Sequence, residues 1–132
     1  MMREFRFKRD SEFPVVRVSL FGPRQRGTLR MVFDTGAGLT QIHTAVMDTF
    51  GFSAKMGTQH ISAHGPAGQI QDGYLVVAPK IEVFGKTFEQ TPIGVYDFDH
   101  FERIGLHGLL GWDVIRRLRL EMDGPAGILR VH

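Results

Sequence analysis

The sequence predicts an all-β domain with one or two short helices. Apolar and polar residues alternate with a period of two along most of the chain, the pattern of strands that bury one face. Glycine occurs 16 times and sits with proline and polar residues between these runs, where the backbone has to turn. Helical spacing is confined to two short stretches. At 132 residues the chain makes one domain with a single core.

In chain order, Glu4 to Arg9 alternates and is broken by Asp10-Ser11-Glu12. Pro14 to Phe21 is a second strand of β-branched character, and Thr28 to Phe33 returns after a polar loop opened by Gly22-Pro23. Leu39 to Ile42 is a further short strand. Thr44 to Phe50 has helical spacing, with Thr44 as N-cap and Gly51 as stop. Thr58 to His64 and Gln69 to Val77 make a long hairpin about Gly65-Pro66-Ala67-Gly68. Its residues fit a mobile lid and an ordinary surface hairpin equally well. Pro79 to Val83 and Thr87 to Val95 form another hairpin, and the acidic, aromatic Tyr96 to Glu102 reads as a loop capping the core. Leu109-Leu110-Gly111 is an apolar strand end, Asp113 to Arg117 one or two helical turns, and Leu118 to Met122 and Ile128 to Val131 a closing hairpin.

The net charge of +2 conceals a division. Residues 1 to 30 hold eight Lys/Arg against three acids, and the rest hold eight against eleven. A basic arm with interleaved Phe5 and Phe7 fits a nucleic acid or lipid surface. The alternation favours a solvated strand face, so residues 1–13 are read as a basic extension adding a strand, and nucleic acid is not expected as a partner. No apolar run approaches the roughly 18 residues of a membrane span, and Met1-Met2-Arg3-Glu4-Phe5-Arg6 shows no secretory core. A soluble, cytoplasmic protein is expected. The absence of cysteine excludes disulfides, thiol nucleophiles and thiolate metal sites.

The chain is organised around Met31-Val32-Phe33-Asp34-Thr35-Gly36-Ala37-Gly38. An apolar strand runs directly into a carboxylate, whose burial costs several kcal/mol unless donors or a proton-sharing group meet it. Thr35 brings a hydroxyl, and Gly36 lets backbone N–H groups approach the acid. Taken alone, Asp-Thr-Gly is also a common strand-ending turn. Competing chemistries fare worse. An Asp-x-Asp phosphatase needs an acid at position 36, which is glycine. Gly36-Ala37-Gly38 opens like a dinucleotide fingerprint, but residue 41 is Gln and no βαβ unit follows. No Gly-x-Ser-x-Gly elbow occurs. His60 and His64 share a strand face without a third ligand nearby, so neither metal nor other cofactor is expected.

The ordered set resembles the retropepsin family of aspartic proteases over about residues 14–131: Asp-Thr-Gly-Ala after an apolar strand, a glycine-tipped hairpin some thirty residues on, and Leu-Leu-Gly before a short helix. The resemblance implies a closed, barrel-type β domain over 14–132 with a flap hairpin. It implies that Asp34 is the catalytic acid, in an active-site loop of Thr35, Gly36, Ala37 and Gly38. The flap falls on Ser62, Ala63, His64, Gly65, Pro66, Ala67, Gly68, Gln69 and Ile70, and loop support on Leu109, Leu110 and Gly111. The closing hairpin is more like cellular and bacterial members than the retroviral enzymes. Gly38 stands where retroviral members usually carry a further aspartate, Trp112-Asp113 replaces their Arg-Asn pair, and Pro66 stiffens the flap tip.

Amide hydrolysis by carboxylates needs one deprotonated group to activate water and one protonated group to polarise the carbonyl. Two close aspartates arrange this by sharing a proton. The chain has one such motif, so the second Asp34 is expected from another copy across a twofold axis. The reading is a homodimeric aspartic endopeptidase acting on peptides or proteins. Its alternative is a non-catalytic dimerisation or peptide-binding module of the same fold.

Overall fold

The computed structural model describes residues 1–64, 68 and 70–132, with the Ile70 side chain outside the description. Strand β1 (Arg3–Arg6) is shorter than the alternation suggests. It is followed by β2 (Val15–Phe21) and β3 (Arg26–Phe33), which pair antiparallel from Val15↔Val32 to Phe21↔Arg26. On β2, Val16, Val18 and Leu20 are buried while Arg17 between them is exposed, so the period of two places one face on the core.

After β4 (Gln41–His43), helix α1 (Thr44–Phe50) ends at Gly51, whose φ of 96° lets its N–H reach back to the Asp48 and Met47 carbonyls. The N-cap is His43, still extended, and not Thr44, which is already helical. The His43 ring does not cap the helix because its Nδ1 accepts the Phe98 N–H at 2.7 Å.

Strand β5 (Gln59–His64) pairs with β6 (Ile70–Val83), which in turn pairs with β7 (Lys86–Tyr96). The sequence suggests two strands either side of Ala78-Pro79, but β6 runs straight through. Its register passes from Ala78↔Thr91 to Lys80↔Glu89, which sets Pro79 opposite Gln90 at the sheet surface. Gln90 takes a φ of 47°, so the position where proline offers no N–H is also where the partner strand leaves extended geometry. The segment read as a capping loop instead contains helix α2 (Asp99–Arg103), packed through Phe98 on Phe101 with ring centroids 5.3 Å apart. The chain ends with β8 (Gly108–Leu110), α3 (Trp112–Ile115), β9 (Leu120–Asp123) and β10 (Ile128–Val131).

Six strands close a barrel in the order β2-β3-β8-β4-β7-β6, and the end of β6 returns to β2 through Val18↔Val83 to Phe21↔Lys80. Strand β5 extends from β6 outside this ring. Two pairs, β3 with β8 and β4 with β7, are parallel; the other pairs of the ring are antiparallel. Leu20, Met31, Ile42, Met47, Ile81, Ile93 and Leu110 are fully buried, each contributing about 1.5–3 kcal/mol of hydrophobic stabilisation. A second sheet, β1-β10-β9, lies against the barrel through Leu129 and the Phe5–Phe84 contact at 5.1 Å between ring centroids. Among the described residues no helix is long and apolar enough to cross a membrane.

Candidate active site

Parallel pairing of β3 with β8 sets Phe33 beside Leu110, so both strands deliver their C-terminal ends to one place. Asp34 follows Phe33 immediately, and its N–H donates to the Leu110 carbonyl at 3.0 Å. Its Oδ1 accepts the Gly36 N–H at 2.9 Å, which fixes the orientation of the carboxylate. A Cβ at residue 36 would stand 3.3 Å from that oxygen, closer than most side chains tolerate. The Ala37 N–H donates to the Asp34 carbonyl at 3.2 Å, and the Ala37 carbonyl accepts the Trp112 N–H. Asp34 is half-buried, while Thr35, Gly36 and Gly38 are exposed. The acid is therefore held at its backbone and open on one side.

Leu110 is fully buried, Leu109 half-buried, and Gly111 is packed so tightly that a Cβ there would lie 2.7 Å from the Leu39 carbonyl carbon and oxygen. These residues and the Asp34 loop form one unit. Sequence reasoning missed two of its members. Thr40, 1% exposed, accepts the Gly111 N–H at 3.1 Å and donates to Asp113 Oδ1 at 2.8 Å. Asp113 Oδ1 also accepts the Val114 N–H at 3.0 Å, so that oxygen is engaged within the chain. The signal available was a hydroxyl in an otherwise apolar strand start, which alternation alone treats as a surface position.

Ser62, Ala63 and His64 lie on β5, with Ser62 opposite Asp72 on β6. The Ser62 hydroxyl donates to Asp72 Oδ1 at 3.2 Å, and His60 Nε2 stands 3.6 Å from the same oxygen. Gly68 adopts a φ of 83°. Gly65, Pro66, Ala67 and Gln69, which carry most of the expected flap tip, lie outside the described residues. No hydrogen bond joins the described part of the hairpin to the Asp34 loop.

Two further histidines are tied to backbone. His107 Nδ1 accepts the Arg30 N–H at 2.8 Å, and burial, then the Arg30 charge, lowers its pKa from the ordinary 6.5. Nε2 of the buried His43 lies 3.5 Å from Glu102, and His43, Asp99 and Glu102 could in outline hold a cation. The Nδ1 bond to Phe98 argues against it. With Nδ1 accepting, the neutral ring carries its proton on Nε2, the atom a metal would need.

A closed barrel whose parallel strand ends carry an Asp-Thr-Gly loop defines a retropepsin-like protein. Residues 16–114 match the aspartyl protease family, and the chain belongs to it. Three solved structures share the fold. A retropepsin-like aspartic protease from Rickettsia conorii is 16% identical, with a TM-score of 0.68 over 99% of this chain and 91% of that one. The EIAV protease complexed with the inhibitor HBY-793 is 18% identical, with a TM-score of 0.63 over 82% and 89%. The retroviral protease-like domain of Ddi1 from Leishmania major is 12% identical, with a TM-score of 0.55 over 86% and 83%. No curated protein sequence matches significantly.

Proposed function

We propose that the protein is an aspartic endopeptidase whose active site forms between two copies of the chain, each giving one Asp34. The observation that carries this reading is the Asp34 loop itself. Its backbone is fixed by Leu110 and its Oδ1 by the Gly36 N–H, while the residue keeps an open side at the surface. Such an acid is built to face something outside its own chain. Across a twofold axis the facing group would be the second Asp34, and two carboxylates a few ångströms apart share one proton.

In this arrangement the deprotonated Asp34 takes a proton from water held between the two acids. The protonated partner donates to the carbonyl oxygen of the scissile amide as the water oxygen attacks its carbon. Collapse of the tetrahedral intermediate passes a proton to the leaving nitrogen and restores the shared pair. Thr35 is exposed and its hydroxyl bonds to no described residue, which leaves it available to the opposite loop. Trp112, 47% exposed beside the same loop, offers apolar surface to the partner or to substrate. The β5–β6 hairpin is the flap in this reading.

The test uses mixtures of wild type and Asp34→Asn. With equal amounts and unbiased pairing, about one quarter of dimers keep both carboxylates, so initial rates on a peptide library should fall to about a quarter. Loss in simple proportion to the mutant fraction would mean that each chain works alone. A folded wild-type dimer without turnover would favour the binding module.

A further inference from the structure

We propose that the groove between β1 and the outer face of the barrel binds an extended acidic peptide segment, a site separate from the Asp34 loop. The groove encloses about 570 Å³ and continues into a second hollow of about 300 Å³ past Ser19 and Glu82. Its floor is apolar, from Phe5, Phe7 and Phe84, all packed on the core. Its walls are cationic.

Arg17 on β2 stands directly opposite Arg30 on β3, with both side chains on the exposed face. Like charges in directly opposed strand positions repel, and their Cβ atoms are only about 5 Å apart. Arg6 and Lys8 add two more cations from the β1 side. Among the described residues none of the four has a carboxylate within ion-pair distance, and Glu82, which also lines the groove, pairs instead with Lys80 at 3.9 Å. The second hollow ends at Phe21, where Lys80 sits 4.1 Å and Arg26 5.7 Å from the ring centroid. Arg17 and Arg30, opposed at a cost and without a carboxylate partner among the described residues, call for an anion.

The shape selects the class of anion. The cations stand at two levels of β2, Arg17 with Arg30 and, four residues on, Arg26 and Lys80 about Phe21, roughly 13 Å apart, which suits a chain of spaced carboxylates better than one small acid. Strand β1 is an edge of its sheet. Phe7 donates to Gly127 and Phe5 faces Leu129, so the alternate residues Glu4 and Arg6 turn their backbone groups to the open side, where an extended peptide can add as a strand. Nucleic acid fits less well. The floor aromatics pack inward on the core, and the Phe21 ring is already covered by cations, so no stacking platform faces the groove.

The experiment is fluorescence anisotropy of a labelled peptide of about six alternating Glu and Val residues, matched to the groove length. Saturable binding is expected, weakening as salt rises. The Lys-Val counterpart should not bind. Arg17→Ser combined with Arg30→Ser should weaken binding about tenfold, two partly exposed ion pairs' worth. Arg30 also donates to the Gly105 carbonyl, so Arg17→Ser alone is the check free of that contact. Its melting temperature should hold or rise as the repulsion goes, whereas a structural role for Arg17 would lower it. An excess of a peptide mimic with a hydroxyl in place of the scissile carbonyl should leave the labelled peptide bound, which separates this site from the active-site reading. Displacement of the labelled peptide by that mimic, equal binding of the Lys peptide, unchanged binding in the double variant, or tighter binding of oligothymidylate would each overturn the proposal.

Discussion

At residue 111 a single methyl group decides whether the Asp34 loop can form. A Cβ there meets backbone atoms of Leu39 and the Ala37 carbonyl within 2.8 Å, and backbone cannot swing aside as a side-chain tip can. Gly111→Ala should cost about 1–3 kcal/mol by overpacking and reduce activity further by displacing the loop. Gly38→Ala, with nothing within 4 Å of its Cβ, should leave stability within about 0.5 kcal/mol of wild type. Denaturant titration of both variants checks the pair. His107 supplies a pH effect of definite sign. Its pKa is lowered in the fold, so on acidification the unfolded chain takes the proton first, near the ordinary 6.5. The stability it contributes is complete above that value and is lost as pH falls below it. His107→Asn keeps an acceptor for the Arg30 N–H without a titrating ring. Its melting temperature should therefore fall less between pH 7.5 and pH 5.5, both values chosen to bracket about 6.5; an identical fall would remove His107 from the account. Asp34 was legible in sequence because Met31-Val32-Phe33 announces a strand end and Thr-Gly a turn. Thr40 was not, since its partners are 71 and 73 residues away and no local period records them.

Among the elements, the β5–β6 hairpin carries the most direct test of the proposed site. If it covers bound substrate, a peptide mimic with a hydroxyl in place of the scissile carbonyl should slow amide exchange across residues 62–70. Unchanged exchange with binding demonstrated would mean that the hairpin is not a flap. The hairpins and α1 were readable because alternation and a stop glycine are local signals. Helix α2 was not, because Asp99 to Arg103 is one exposed turn held by Phe98 stacking on Phe101, with no apolar stripe to show a helical period. Pro79 misled for a related reason. Proline argues against a central strand, but here its missing N–H coincides with the departure of Gln90 from extended geometry, and the ladder resumes on either side.

For the whole molecule, the proposed site, if formed between two copies, would make activity depend on concentration. Specific activity should fall on dilution through the range where sedimentation shows dimers giving way to monomers. Constant specific activity across that range would locate a complete site in one chain. Closure of the barrel was legible through the family resemblance and not through the periodicity. The contact of β2 with the end of β6 joins Val18 to Val83, and sequence alternation states which face of each strand is buried without naming its neighbour. The parallel pairing of β3 with β8 bears on how the protein comes into being. Phe33 and Leu110 lie 77 positions apart, and loop-closure entropy must be met before such a contact stabilises anything. Asp34 hangs from that contact by its own N–H, so the loop that fixes the acid cannot be assembled until Leu110 is in place. During synthesis, then, the chain carries its acid unformed until all but its last strands have been made, and a product truncated before residue 110 lacks the partner that holds Asp34 in position.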